Sequence, residues 1–242
     1  MALTKVIGSG TGDITKLQIL NGSNVNTAST DADDLIIEGP NDCGLSILSA
    51  TTGRIFFGDA SNDDAGSIRY VHSDDSMRFE ANDEEAMRIH SIGAITKPLQ
   101  PAFQVHPASQ QNNLTVNAYT TIAFGTEVFD NNLDFASNTF TAPVTGKYLF
   151  TYNVYQLNLI IYFLSIDIDA NYWQINLETS NRTYYQVIVP KFSADLAYHN
   201  FAMTVLADMD ANDTSYLRIY QAGGDAQTDI AVATTFSGYL VC

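Results

Sequence analysis

Residues Phe140 to Tyr152 read FTAPVTGKYLFTY, and the chain closes on FSGYLVC, Phe236 to Cys242. In the first segment five residues separate Phe140 from Gly146, after which Tyr148, Phe150 and Tyr152 alternate with Leu149 and Thr151. A glycine turn feeding a period-two aromatic run marks a β-strand with one face in a core. Outward from this segment, similar runs recur roughly every ten residues, bounded by turn-forming residues. They predict strands at 102–106, 114–116, 119–124, 138–141, 147–155, 159–168, 172–178, 183–189, 198–207, 215–221 and 231–240. Leu159 to Ile168 is apolar on both faces, as expected of a strand covered by its own sheet partner and by a neighbouring subunit. The fold class is all-β, with a two-sheet jelly-roll sandwich at the C-terminal end.

Phe140, Gly146, Tyr148 and the closing Phe236-Ser237-Gly238-Tyr239-Leu240 resemble the globular head of complement component 1q, a fold shared with the tumour necrosis factor family. The resemblance covers residues 101–242. Leu133, seven residues before Phe140, stands where that family places an apolar or aromatic residue. Five positions earlier the family carries Asn or Asp, where this chain has Val128, with Asp130 and Asn131 close by, so the loop before Leu133 is expected to differ in length. The resemblance implies a homotrimeric knob that binds rather than catalyses.

Composition narrows the partners. The 242 residues hold 11 Lys and Arg against 27 Asp and Glu, a net charge of −16, which repels a phosphate-coated partner and excludes nucleic acid. The excess is shared evenly by residues 1–97 and 98–242, so neither half is an acidic tail. Cys43 and Cys242 fall in different modules at no metal or redox spacing and are expected to be free thiols. MALTKVIGSG at the N-terminus lacks the apolar run of a secretory signal. No segment approaches the roughly 20 apolar residues of a membrane span, so no membrane insertion is expected.

Residues 17–90 carry a loose repeat of short tetrads: LQIL at Leu17, LIIE at Leu35, LSIL at Leu45, RIFF at Arg54, SIRY at Ser67, SMRF at Ser76 and AMRI at Ala86. Turn-forming stretches separate them, as in an all-β array. The last three place Arg69, Arg78 and Arg88 between apolar neighbours, with acidic pairs Asp63-Asp64, Asp74-Asp75 and Glu84-Glu85 alongside. Stacked strands would align the arginines on one face, neutralised by carboxylates at the turns. Such small strands bury too little for a monomeric core, so neighbouring chains are expected to complete a trimeric shaft. Gly66-x-Ile68-x-Tyr70, Asp75-x-Met77-x-Phe79 and Glu85-x-Met87-Arg88-Ile89 resemble the repeat region of bacteriophage tail fibres and related appendages. The expected organisation is an attachment segment (1–16), a β-repeat fibre shaft (17–97), a Pro-rich connector (98–107) and the jelly-roll knob (108–242).

Catalysis has no foothold: His72, His90, His106 and His199 are scattered, and no nucleophile elbow, P-loop or dinucleotide fingerprint occurs. No cofactor is expected, calcium being the one ion a motif could hold. Asp208, Asp210 and Asp213, and Asp59, Asn62 and Asp64, place oxygens at spacings a hard cation uses, though without the glycine and distal glutamate of an EF-hand. Some members of the complement family hold calcium near the trimer apex; the other reading is an acidic turn between strands. Tyr172, Trp173, Tyr184 and Tyr185, beside Asn171 and Asn181, are candidate glycan-stacking residues, with core or interface packing as the alternative.

These features combine into an expected non-enzymatic bacteriophage virion protein. It would be a homotrimeric fibre joined to other virion proteins through its N-terminal segment, with a knob that contacts host-surface glycan or protein. A head fibre or decoration protein with a spacer role is the structural alternative, and a polysaccharide-degrading appendage with paired carboxylates the enzymatic one.

Overall fold

The structure, a computed structural model, describes residues 17–20, 31, 35–38, 41–157, 169–190, 198–226 and 228–242. Among them every regular element is a β-strand. In the N-terminal part, β1 (Leu17–Leu20) pairs in parallel with β2 (Leu35–Glu38). A separate antiparallel sheet follows in chain order: β3 (Thr52–Phe57), β4 (Gly66–Val71), β5 (Ser76–Ala81), β6 (Glu84–Ile89) and β7 (Ile95–Thr96). Its hairpins follow from turn chemistry. Asn82 and Asp83, joining β5 to β6, both take positive φ (53° and 64°), the geometry that matches the strand twist of a two-residue hairpin.

Register in this sheet puts the arginines in one cross-strand row, Arg54 opposite Arg69, Arg69 opposite Arg78, and Arg78 opposite Arg88. Like charges in adjacent positions destabilise a sheet unless compensated. Glu80 pairs with Arg69, Asp74 with Arg78 at 2.6 Å, and Glu85 with Arg88 at 2.6 Å and Arg78 at 3.4 Å. Arg88 holds the Glu85 carboxyl below the usual carboxylate range, and the Ser76 hydroxyl with Arg78 does the same for Asp74. The tetrad at Leu45 departs from expectation: residues 42–49 form no strand, and Ile47 instead packs where a Cβ on Gly53 would stand 3.3 Å away.

The C-terminal part is a sandwich. Its strands are β8 (Ala102–His106), β9 (Tyr119–Thr121), β10 (Thr126–Asp130), β11 (Phe135–Ala136), β12 (Thr139–Thr141), β13 (Gly146–Leu157), β14 (Tyr172–Thr179), β15 (Thr183–Ile188), β16 (Tyr198–Met209), β17 (Thr214–Ala222) and β18 (Thr235–Leu240). One sheet has the order β10-β8-β18-β13-β16; the other is β11-β12-β17-β14-β15, with β9 beside β17. The opening motif lies at the centre. Tyr148, Phe150, Tyr152 and Val154 all face inward from β13 and are buried, as the alternation requires. Phe103, Phe135, Phe140, Phe150 and Phe236 meet them in an aromatic core, Phe103 lying 4.9 Å from Phe140 and 5.0 Å from Phe236 between ring centroids.

Both motif glycines have a steric reason. A Cβ on Gly238 would stand 2.5 Å from a Phe150 ring carbon and 2.8 Å from one of Phe103. One on Gly146 would strike Leu240 at 2.6 Å and the Cys242 carbonyl oxygen at 2.7 Å. Only glycine lets the last strand lie this close to the aromatic rings and β13 to the chain end.

Several boundaries shift. Residues 102–106, predicted as a strand though placed within the connector, are β8, and Phe103 and Val105 are buried in the sandwich. The link therefore narrows to 97–101 and is clamped to the knob, Gln100 donating from its side chain to the Leu240 carbonyl (2.7 Å) and Leu240 donating to the Pro101 carbonyl (3.0 Å). No strand forms at 114–116, where the Leu114 amide donates to the Thr228 carbonyl, and 231–234 is a turn before β18. The sequence reading missed β10 because a register shift between Glu127 and Phe129 puts Val128 and Phe129 out of period. The strand expected at 159–168, like the attachment segment 1–16, lies outside the described residues.

Candidate functional site

Asp208, Asp210 and Asp213 fall in the hairpin joining β16 to β17, one on the strand end and two in the turn, where Asn212 takes a φ of 74°. Two of the three carboxylates, those of Asp208 and Asp213, accept from protein groups. Both oxygens of Asp208 accept from Arg182 Nη2, at 2.7 and 2.8 Å. Asp213 Oδ2 accepts the Asp210 amide (2.8 Å) and Asn181 Nδ2 (3.0 Å). Among the described residues no group of three or more His, Cys, Asp or Glu is placed to hold a metal ion. Beside Asp208 the Arg182 guanidinium sits in the position a cation would take. These residues build an acidic turn, stapled to the opening motif by the Ala211 amide donating to Thr145 Oγ1. Asp59 does similar work in the shaft, accepting from the Ser61 amide and hydroxyl and from the Asn62 amide, which lowers its pKa. Beside the turn, a polar cleft of about 400 to 500 Å³ is bounded by Thr145, Lys147, Asn181, Asp208, Asp210 and Cys242.

The four aromatic candidates separate. Trp173 is fully buried, its indole N–H donating to Thr228 Oγ1 at 3.1 Å, so it packs the core and meets no ligand. Tyr184 also points inward and is half-buried against the core. Tyr172 and Tyr185 point outward, but Tyr185 pairs with Asn176, four residues and about 13 Å along β14 from Tyr172. The physical reason is alternation: in YWQINLET, Trp173, Ile175 and Leu177 share the core face, while Tyr172, Gln174, Asn176 and Glu178 share the outer one.

On that outer face the structure joins Tyr172 to residues the sequence reading did not single out. Tyr119 on β9 and Tyr220 on β17 have ring centroids 4.9 Å apart, and Tyr220 stacks with Tyr172 at 5.8 Å. Arg218 lies 4.0 Å over the Tyr119 ring and pairs with Glu178 at 2.6 Å. Glu178 also accepts from Asn176 (2.8 Å) and Thr183, and Gln174 donates to Asn176 (2.6 Å) and to the Tyr119 hydroxyl (3.3 Å). The result is a rigid platform of three tyrosine rings edged by amide and charged groups. Its signal was available, since Tyr216, Arg218 and Tyr220 alternate with Leu217 and Ile219 in β17.

The outer face of the other sheet differs. Leu149, Thr151 and Asn153 of β13, Thr204 and Leu206 of β16, and Tyr239 of β18 occupy its middle, and none is charged. Leu206 is 57% and Tyr239 48% exposed. Lys147 and Asp208, paired in register, sit only at the strand ends. Near the connector, the Asp130 carboxylate accepts the Asp134 and Phe135 amides (3.1 and 2.9 Å) and so shapes the loop that carries Leu133 at φ 60°. Leu133 is 82% exposed there.

Two antiparallel sheets packed on an aromatic core, one presenting an uncharged outer face and the other a tyrosine platform, define a jelly-roll module of the kind that binds. The C1q domain family matches residues 102–241, more than half of the chain, and the chain belongs to that family. Among solved structures it is similar to the globular domain of zebrafish complement 1qA, at 15% identity and a TM-score of 0.44, over 59% of this chain and 98% of that one. It is also similar to murine APRIL at pH 8.5, at 11% identity and a TM-score of 0.39, over 59% of this chain and 99% of that one. No curated protein matches the chain.

Proposed function

We propose that this chain is a homotrimeric, non-enzymatic fibre protein of a bacteriophage virion, whose C1q-type knob binds a host-surface glycan during adsorption. The observation that carries the trimer is the uncharged centre of the outer face of the β10-β8-β18-β13-β16 sheet. Interface cores are depleted of charge and enriched in Tyr and aliphatic residues, and this face has that composition with its apolar groups exposed in the single chain. Burying it around a threefold axis turns the opposite sheet outward, with its tyrosine platform. Tyrosine rings flanked by amides and carboxylates suit the alternating apolar and hydroxyl faces of a sugar. Three platforms on one knob would convert weak contacts into avidity.

The tetrads Gly66-x-Ile68-x-Tyr70, Asp75-x-Met77-x-Phe79 and Glu85-x-Met87-Arg88-Ile89 support the virion assignment, and all three fall on successive strands of one sheet. Immunogold labelling of the intact particle tests it. Label on the tail is the expected result; label on the capsid would replace adsorption with a head-fibre or decoration role. For the platform, Tyr220→Ala is expected to reduce binding to host cells while leaving the sedimentation mass unchanged. Loss of the trimer instead would return Tyr220 to a packing role.

A further inference from the structure

The β3–β7 sheet is a single layer with two chemically opposite faces. One carries the arginine row and its carboxylates. The other carries the row Ile55, Ile68, Phe79 and Met87, which oppose one another strand by strand, flanked by Tyr70 and Met77. A sheet must bury such a face against a second layer. Among the described residues only the segment around Leu45 and Ile47 approaches it, leaving a shallow groove of about 210 Å³ beside Gly53 and Ile55. Ile55 is 41% and Leu45 62% exposed.

We infer that this apolar face is covered by the same face of two further copies of the chain, so that three sheets close a common apolar interior and display their arginine rows outward. The inference rests on the trimeric reading of the knob. Residues 97–101 tie each sheet to its knob, so a trimer would hold the other copies at high effective concentration. The alternative contact, one copy's arginine face on another's apolar face, would strip water from the ion pairs of Arg69, Arg78 and Arg88 with nothing polar in return. The apolar face carries charge only at its rim, at Glu84 opposite Ala81 and at Asp75 on the Tyr70 hydroxyl, so its centre fits its own copy. Four strands of six residues present roughly 400 Å² per copy, about 1,200 Å² for three, at the lower end of stable interfaces.

The test uses the full-length chain with a benzophenone amino acid at Phe79, on the apolar face, or at Phe56, which is on the arginine face and 50% exposed. Isotopically light and heavy chains are refolded together, irradiated, and the crosslinked peptides mapped. Position 79 is expected to give light–heavy crosslinks into residues 54–89 of another copy, and position 56 to lose them. Crosslinks from position 79 confined to its own chain, or light–heavy product from position 56 alone, would overturn the inference. Sedimentation of the same samples reads the trimer separately: a trimer lacking the position-79 product leaves the knob reading standing, whereas a monomer removes both.

Discussion

In the sandwich, Phe103 from one sheet meets Phe135 and Phe140 from the facing sheet at 5.0 and 4.9 Å, so the core is closed within one chain. In the β3–β7 sheet, Ile68 and Phe79 lie side by side in register, and among the described residues no second sheet faces them. Both regions alternate apolar and polar residues, and both satisfy their backbone through antiparallel pairing. What differs is where the second layer comes from. The knob closes its core within one chain; on the proposed closure by further copies, the stability of the shaft would depend on assembly and so on chain concentration.

The contrast can be broken most severely by Phe103→Ala. Removing a fully buried ring that touches four other phenylalanines should cost about 4 kcal/mol of knob stability in a denaturant titration. Because the proposed closure of the β3–β7 sheets relies on the effective concentration the knob supplies, their transition should move down with it. Gly238→Ala, which drives a methyl group into the Phe150 and Phe103 rings, should cost about 2 kcal/mol by the same measurement. Tyr152→Phe has the opposite sign. Among the described residues the buried Tyr152 hydroxyl has no hydrogen-bond partner, and burial raises its pKa, so its removal should stabilise the knob by about 1 kcal/mol.

Acid should separate the two regions more gently. Burial lowers the pKa of His199 below its ordinary 6.5, so the folded knob binds fewer protons than the unfolded chain. Stability is full above that value and falls as the pH drops beneath it. His199→Gln should flatten that part of a thermal-melt pH profile. In the shaft the depressed carboxyl is Glu85, whose ordinary value is 4.5. Its contribution is intact above 4.5 and is lost only as the pH falls through its lower folded value. Acidification should therefore touch the knob first and the shaft later.

Much of this contrast was legible in the residues. The alternation of Tyr148, Phe150 and Tyr152 located the core strand, and the Arg69, Arg78 and Arg88 tetrads located the ladder, because both are local periodicities. The site was less legible. Trp173 was open to a stacking and a packing reading, and strand parity decides for packing by putting it on the core face with Ile175 and Leu177. Tyr119 could not be joined to Tyr172 and Tyr220 from sequence, since β9 reaches them only by pairing with β17 across about one hundred residues. The surroundings of the acidic turn were not legible either, because Arg182, which bonds the Asp208 carboxylate, arrives from the β14–β15 hairpin.

Sedimentation equilibrium of the full-length chain at micromolar concentration bears most directly on the claim that the uncharged sheet face and the apolar shaft face are both closed by copies of the same chain. The account predicts a single species at three times the 26.5 kDa chain mass. A species at 26.5 kDa would contradict it, leaving both faces open to water.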